Sequence, residues 1–274
     1  MKTYLARRAY FSCGRQLRVL DLSPEQNRAA FGRDVLPHGI DCTLDIYYSG
    51  EIEKHDGMIV NLSDLKPILS NTLAPLDDSF LDRDLPYFQR HPPTAENLAQ
   101  YLWDALPPRV GQGTLSRLRL QETARTFVEI HLIENSGTAM KLTRCYEFAA
   151  AHRLHVPQMS DAENTELYGK CNNPSGHGHN YGLEVTLEGI PNAKTGSIIS
   201  LPDLDKIVDE EIFERFDHKH LNVDCPEFEN LVPTSENLAR VIFEILEKSL
   251  KERGYKLAKI GLHETTKNYF EVEA

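Results

Sequence analysis

Three histidines in the second half of the chain, His152, His177 and His179, have the spacing to hold a metal ion. His177 and His179 are two residues apart at the entry to a predicted strand, where alternation puts both imidazoles on one face. His152 ends the strand predicted before it, and the two strands can pair. Three imidazoles from two strands make a zinc site with an open fourth position, the catalytic arrangement, in which the ion polarises bound oxygen atoms. The His-x-His spacing alone is equally compatible with an ordinary loop.

Four further side chains have the chemistry for proton transfer or ligand binding. Cys171 precedes His177 in a predicted loop and is either an inert buried thiol or a thiol whose pKa a nearby cation lowers. Asp217 and His218 follow a predicted helix and are either a solvated turn or a carboxylate that orients an imidazole for proton exchange with Cys171. Glu264 ends a predicted strand and is either a surface charge or an acceptor for a donor-rich ligand edge.

The elements that must position these residues form an α+β unit. Strand patterns cover residues 142–154, 181–187, 257–262 and 269–272. One helix is predicted from about residue 200 to 216, and a second begins near Thr234, has an apolar stripe at i, i+3, i+4 spacing and ends before Gly254. The order ββααββ predicts an antiparallel sheet with two helices packed on one face.

The chain contains this unit twice. Four blocks of the first half recur in the same order in the second half, at an offset that rises from 137 to 142 residues. The pairs are YFSCGRQL and EFAAAHRL, DGMIVNLSDL and TGSIISLPDL, PTAENLA and PTSENLA, and QET and HET. We therefore predict two homologous domains, residues 1–133 and 142–274, joined by a polar linker at 134–141.

The composition argues against several classes of partner. The chain has 30 basic and 41 acidic residues and a net charge of −11, which disfavours nonspecific binding to nucleic acid or anionic membranes. A local basic pocket can still hold a phosphorylated small molecule. No stretch approaches the roughly 18 apolar residues of a membrane helix, and the first residues lack the apolar core of a signal peptide. A cytoplasmic location is therefore expected.

The run LYGKCNNPSGHGHNY, with EFAAAHRL before it and FDHKHLN, PTSEN and HET after it, closely resembles the 6-pyruvoyltetrahydropterin synthase family over residues 142–273. The resemblance implies the tunnel fold, in which the sheets of ββααββ units join into a barrel. It also implies a lyase that eliminates triphosphate from 7,8-dihydroneopterin triphosphate without an external redox cofactor. Magnesium is expected to accompany the triphosphate.

The resemblance also implies a role for each candidate residue. The implied zinc ligands are His152, His177 and His179. Cys171 is implied to transfer protons on the substrate side chain, with Asp217 and His218 as its proton relay. Glu264 is implied to anchor the pterin edge, with Thr234 and Ser235 near the same pocket. Arg153, Lys170 and Lys219 are candidates for contacts with the triphosphate because they are basic and near the motifs.

Two other activities remain open at this point. Five residues separate Cys171 from His177, which resembles the tetrahydrobiopterin-pathway synthases, whereas the queuosine-pathway 6-carboxytetrahydropterin synthases usually have three. That activity is the alternative, because these enzymes share a substrate and early steps. A branch that cleaves the side chain has a glutamate before the HGH motif, and residues 173–176 contain none. A noncatalytic pterin-binding module is the third possibility, and the intact set of candidate residues argues against it.

The first repeat has lost most of these residues. The positions of the three candidate zinc ligands, His152, His177 and His179, are occupied in the first repeat by Arg15, His38 and Ile40. The positions of Cys171 and His218 are occupied by Asp34 and Asp78. Four polar residues are kept: Asp77, Thr94, Glu96 and Glu122. We therefore expect the first repeat to be a structural partner and the chain to bind one zinc ion.

The resemblance further implies rings of three units with active sites between subunits. Since each chain supplies two units, we expect a homotrimer with first-repeat and second-repeat barrels stacked, whereas rings of four units would let the repeats alternate.

Overall fold

The computed structural model describes residues 2–274. The first repeat has the predicted long strands and helices together with several short elements. In chain order they are β1 (Thr3–Arg15), α1 (Pro24–Phe31), β2 (His38–Gly50), α2 (Leu62–Leu73), β3 (Ser79–Phe80), α3 (Leu81–Asp84), α4 (Ala95–Ala105), β4 (Arg109–Val110), β5 (Gly113–Thr123) and β6 (Thr126–Ile133).

The second repeat follows the same order. Its elements are β7 (Gly137–His152), α5 (Asp161–Tyr168), β8 (His177–Glu188), α6 (Leu201–Val208), α7 (Glu214–Phe216), β9 (Lys219–His220), α8 (Leu221–Asp224), α9 (Ser235–Glu252), β10 (Lys256–Thr265) and β11 (Asn268–Glu273). One π-helical turn, Asp209–Phe213, connects α6 to α7, so the helix predicted to end near residue 216 does so.

The contacts divide the chain into two compact units that do not coincide with the repeats. One unit runs up to Thr143 and also includes Glu188–Asp203, and the other comprises Arg144–Leu187 and Leu204–Ala274. The first unit is therefore discontinuous in sequence, because a segment of the second repeat packs within it. The segment expected as a linker is a short turn at 134–136, since β7 already begins at Gly137.

Each unit is a mainly antiparallel sheet covered by helices. In the first unit the order β3-β1-β2-β5-β6 is observed, with β3 parallel to β1, and α4 packs against β5 and β6. In the second unit the order is β7-β8-β10-β11, with β9 parallel to β7 and α9 packed against β10. The predicted ββααββ order of the long elements is thus present in both repeats.

The long helix α9 has the capping residue, the terminating glycine and the apolar stripe from which the sequence predicts it. The Thr234 side chain caps the helix by accepting a hydrogen bond from the Asn237 N–H, and Gly254 beyond its end has φ +84°. Most of the apolar stripe is buried, with zero exposure at Leu238, Ile242 and Leu246. Within residues 2–274, no helix is both long and apolar enough to cross a membrane.

Candidate active site

The three histidines of the second repeat come together as the sequence predicts. His177 and His179 lie on one face of β8, and His152 lies at the end of β7. One ring nitrogen from each residue lies within 4.8 Å of the others, and the Nε2 atoms of His152 and His177 are 3.3 Å apart. A tetrahedral zinc ion about 2.1 Å from each ligand would hold the nitrogens about 3.4 Å apart, so this cluster fits the metal.

The surroundings of the cluster favour metal-binding forms of the rings. His152 Nδ1 donates a hydrogen bond of 2.8 Å to the Pro233 carbonyl oxygen, which leaves Nε2 with its lone pair. Burial lowers the pKa of both His152 and His177, so these rings are neutral near pH 7. Among the described residues, His179 Nε2 is a buried atom without a hydrogen-bond partner, and a cation bound by the cluster would supply one.

Glu264 lies beside the histidine cluster. Its Oε1 accepts a hydrogen bond of 2.6 Å from the Ser235 hydroxyl and is 3.8 Å from His179 Nε2, while Oε2 accepts a bond of 3.0 Å from Asn268 Nδ2. Partial burial acts to raise the pKa of Glu264, but the bonds from Ser235 and Asn268 outweigh it and the pKa is below the usual value. Glu264 is therefore a carboxylate at neutral pH.

Local structure explains how Glu264 and its neighbours reach this position. The β10–β11 register shifts between His263 and Thr265, so Glu264 lies at a β-bulge, a feature that re-aims a side chain. Ser235 is the first residue of α9, and its hydroxyl is directed at Glu264. Thr234, by contrast, uses its hydroxyl to cap α9, so it shapes the pocket through the helix rather than through that bond.

Asp217 and His218 form a pair immediately before β9. His218 Nδ1 is 2.9 Å from Asp217 Oδ2, and Asp217 Oδ1 accepts a bond of 2.8 Å from the Ala149 N–H. Partial burial acts to raise the pKa of Asp217, but these bonds outweigh it and hold the pKa below its usual value. His218 has φ +56°, an uncommon conformation for a non-glycine residue, and its side chain is 83% exposed. The carboxylate thus orients an imidazole that points into solvent in a single chain.

The backbone conformation at His218 belongs to the repeat fold. Asp78, the equivalent residue of the first repeat, has φ +57°, and Asp77 Oδ1 accepts a bond of 2.9 Å from the Ser12 N–H. The first repeat therefore keeps the orienting carboxylate and the strained backbone, while the imidazole is absent.

Cys171 and His218 are anchored through their backbones to different residues of β7 and the segment that follows it. The Cys171 carbonyl oxygen accepts a bond from the Leu154 N–H, whereas the His218 N–H bonds to the Ala149 carbonyl oxygen. Ala149 lies within β7 and Leu154 lies two residues beyond its end, so the two anchor points are five positions apart along the chain and at most roughly 16 Å apart in space.

A cavity of about 530 Å³ lies at β7, β8 and β9. His179, His218 and Lys219 line it. Arg153, another basic candidate, donates through its guanidinium to the Asn172 side chain at 3.0 Å and to the Asn172 backbone carbonyl.

Sequence reasoning missed Tyr181, which is fully buried beside His179, with 5.6 Å between the ring centroids. Its position two residues after His179 on the same strand was the available signal.

In the first repeat, an ion pair takes the place of the metal cluster. Arg15 lies at the His152 position with only 4% exposure, and its guanidinium donates to both carboxylate oxygens of Glu122. Arg15 Nε also donates a bond of 3.2 Å to His38 Nε2, and Ile40 occupies the third ligand position.

Comparison with known proteins identifies the family to which both repeats are similar. A family model described as 6-pyruvoyl tetrahydropterin synthase matches the chain twice, over residues 4–132 and 141–274. The 6-pyruvoyl tetrahydrobiopterin synthase of Poecilia reticulata is 47% identical over 127 residues, which are 46% of this chain and 85% of that protein. The protein of the same name from Homo sapiens is 43% identical over 128 residues, which are 47% of this chain and 87% of that protein.

Among solved structures, uricase from Arthrobacter globiformis resembles the chain over its whole length. The TM-score is 0.52 at 8% identity, with 100% of this chain and 93% of that chain covered, a likeness that shows the fold alone. The predicted α+β class with tandem tunnel-fold repeats is confirmed, because the family match occurs once in each half. The chain therefore belongs to the 6-pyruvoyl tetrahydropterin synthase family, as two tandem copies of the family domain.

Proposed function

We propose that the second repeat is a 6-pyruvoyltetrahydropterin synthase that converts 7,8-dihydroneopterin triphosphate to 6-pyruvoyltetrahydropterin with elimination of triphosphate. The observation that carries the proposal is the adjacency of two different sites. A cluster of three imidazoles with a spacing suited to zinc lies next to Glu264, a carboxylate fixed by Ser235 and Asn268. The relatives that match at 43% to 47% identity carry the name of this activity.

Each side chain has a defined task in this proposal. The Glu264 carboxylate accepts hydrogen bonds from the amino group and ring N–H of the pterin, while Ser235 keeps the carboxylate oriented. His152, His177 and His179 would hold zinc, and the bound ion would polarise the hydroxyl oxygens of the substrate side chain and acidify the adjacent C–H groups. The Cys171 thiolate takes a proton from the side chain and returns one after triphosphate has left, so no redox cofactor is consumed.

The relay to Cys171 is proposed to come from a neighbouring copy of the unit. The separate backbone anchors of Cys171 and His218, at Leu154 and Ala149, support this arrangement. The 83% exposure of the His218 side chain supports it too, since an imidazole that protrudes from one unit is available to the next. Asp217 would orient this imidazole and stabilise its protonated form.

Product analysis tests the reaction directly. The purified chain is incubated with 7,8-dihydroneopterin triphosphate, zinc and magnesium, and the products are identified by mass spectrometry. We expect a product that keeps its three-carbon side chain as a pyruvoyl group, together with free triphosphate. A 6-carboxy pterin with acetaldehyde would instead establish the queuosine-pathway activity, and binding without turnover would establish a noncatalytic module.

Three further expectations accompany this function. Magnesium bound to the substrate triphosphate and a cytoplasmic location stay predictions. The homotrimer also stays a prediction, and light scattering that gives the mass of two or four chains would replace it with rings in which the repeats alternate.

A further inference from the structure

The ion pair between Arg15 and Glu122 is the most enclosed charged contact of the first repeat's pocket. Arg15 Nη1 donates to Glu122 Oε1, and Arg15 Nη2 donates to Glu122 Oε2 at 2.8 Å. The two side chains retain only 5% and 4% of their exposure. Two parallel N–H···O bonds from one planar guanidinium to one carboxylate make this a bidentate contact.

Glu122 occupies in the first repeat the position that Glu264 occupies in the second. The β5–β6 register shifts between Gln121 and Thr123, so Glu122 also lies at a β-bulge. The difference is in what surrounds the carboxylate: alignment places Ala95 where Ser235 lies, so no hydroxyl is available from the helix start. Both oxygens of Glu122 instead bond the guanidinium of Arg15.

The guanidinium also fills the space in front of the carboxylate. The cavity that remains around Arg15 and Glu122 has a volume of about 30 Å³, which is room for about one water molecule. Asp34, Thr94 and Glu96 line the same cavity, so its walls are acidic or neutral and contribute no second cation. Arg15 Nη1 makes one more bond, of 2.9 Å, to the Pro93 carbonyl oxygen.

We propose that the first repeat keeps a binding pocket for a flat guanidine-type group, with donor nitrogens on one carbon, and that the guanidinium of Arg15 is its permanent occupant. The pocket is recognised by its acceptors: two oxygens of Glu122 for the paired donors and the Pro93 carbonyl for a third N–H. Both oxygens of Glu122 are therefore bonded by Arg15, whereas the oxygens of Glu264 in the second repeat bond Ser235 and Asn268 and have no arginine partner. This inference rests on contacts of the first repeat and stands apart from the proposed activity.

Removal of the occupant tests the proposal. Arg15→Gly in the full chain leaves the Glu122 carboxylate buried without a partner, so the thermal midpoint is expected to fall by roughly 10 °C. Methylguanidinium chloride at about 20 mM should recover at least half of that loss, because it binds the folded state at the vacated pocket. Methylammonium chloride at the same concentration controls for charge and salt and should recover none of it.

Two variants separate pocket binding from a general effect. Arg15→Gly combined with Glu122→Gln lacks the carboxylate and should show no recovery by methylguanidinium. Arg8→Gly removes the guanidinium of another bidentate pair, with Asp45, whose arginine is about half exposed, and should also show no recovery. Equal recovery in any of these controls, or none in Arg15→Gly, would overturn the proposal.

Poor folding of Arg15→Gly does not remove the test. In that case the yield of soluble chain after refolding is compared with methylguanidinium and with methylammonium present. A higher yield with methylguanidinium alone supports the pocket, and equal yields contradict it.

Discussion

Arg15 and His152 occupy equivalent positions at the ends of β1 and β7 and bond to equivalent backbone atoms. Arg15 Nη1 donates to the Pro93 carbonyl oxygen at 2.9 Å, and His152 Nδ1 donates to the Pro233 carbonyl oxygen at 2.8 Å. Each proline precedes the threonine that caps a long helix. The same acceptor therefore orients a ring of the histidine cluster in one repeat and a cation in the other, and we expect the two repeats to differ completely in metal binding.

We predict that the chain binds one zinc ion. The second repeat supplies three imidazoles, whereas the first supplies His38 alone beside the cationic Arg15, which repels a dication. Elemental analysis of the purified chain should find about one zinc per chain. His177→Ala should lower this value towards zero and His38→Ala should leave it unchanged; metal retained by His177→Ala would place the site elsewhere.

Cys171→Ala should abolish most turnover while zinc remains bound. The thiol is assigned to proton transfer, a contribution of roughly 10²–10⁴-fold, and it is not among the clustered imidazoles. Steady-state turnover and zinc content are measured on the same preparation. Cys225→Ala is the matched control, because Cys225 is a buried thiol whose Sγ bonds to the Arg215 carbonyl. Near-native turnover of Cys171→Ala would remove the thiol from the mechanism.

Two inactive variants should complement each other if the relay joins different chains. Chains with Cys171→Ala and chains with His218→Ala are produced together with different tags, and the mixed assemblies are isolated. When the two residues of a site come from different chains, an equal random mixture has both intact at about one quarter of sites, so about a quarter of native turnover should return.

The control mixture pairs Cys171→Ala with His177→Ala. Cys171 is anchored to Leu154, two residues beyond His152, so the thiol and the metal cluster belong to the same repeat. This mixture should show little recovery. Recovery in neither mixture would mean that Cys171 and His218 act from one chain or not at all.

Glu96 should make stability fall as pH rises. Burial raises the pKa of Glu96 to about 7, although its bond of 2.9 Å from the Ile198 N–H acts in the opposite direction. Because this folded-state pKa lies above the ordinary value of 4.5, the folded chain holds a proton that the unfolded chain has released between these values. The contribution of Glu96 to the free energy of unfolding is therefore fully present below pH 4.5 and is lost as the pH rises through about 7.

Glu96→Gln should remove this dependence, because the amide keeps an acceptor for Ile198 and cannot ionise. At pH 8 its free energy of unfolding should exceed that of the native chain by on the order of 2–3 kcal/mol, and at pH 4 the two should agree. Urea unfolding at both pH values measures the difference. Glu236→Gln is the control, since Glu236 is the exposed counterpart in the second repeat, and an equal gain there would contradict the role of burial.

Much of the fold and of the metal cluster follows from patterns within a few residues of each other. The apolar stripe of α9 and its capping threonine set that helix, and strand alternation set the common face of His177 and His179. The helices α1 and α5 were missed although their capping boxes are present in the sequence, at Ser23 with Gln26 and at Ser160 with Glu163. Their apolar periodicity is weak, so apolar spacing alone does not predict them.

The rest depends on contacts between distant parts of the chain. The position of His218 follows from the parallel pairing of β9 with β7, which joins two residues of each strand and has no signal of its own in the sequence. Likewise, comparison of the repeats assigns Glu188–Asp203 to the second one, whereas its contacts place it in the first unit. Only the folded backbone shows where such segments pack.

The discontinuity of the first unit has a consequence for the order in which the protein is made. Thr94 donates to the Gly196 carbonyl oxygen at 2.6 Å, and Glu96 accepts from Ile198, so these two residues find their partners about a hundred positions later in the chain. A domain near the N-terminus ordinarily folds while the ribosome is still translating the next. Here the first repeat leaves the ribosome before the partners of Thr94 and Glu96 have been made. These hydrogen bonds can form only when the residues between β8 and α6 have emerged. If translation stops after β6, the released chain lacks Gly196 and Ile198 and cannot complete these contacts of its own first repeat.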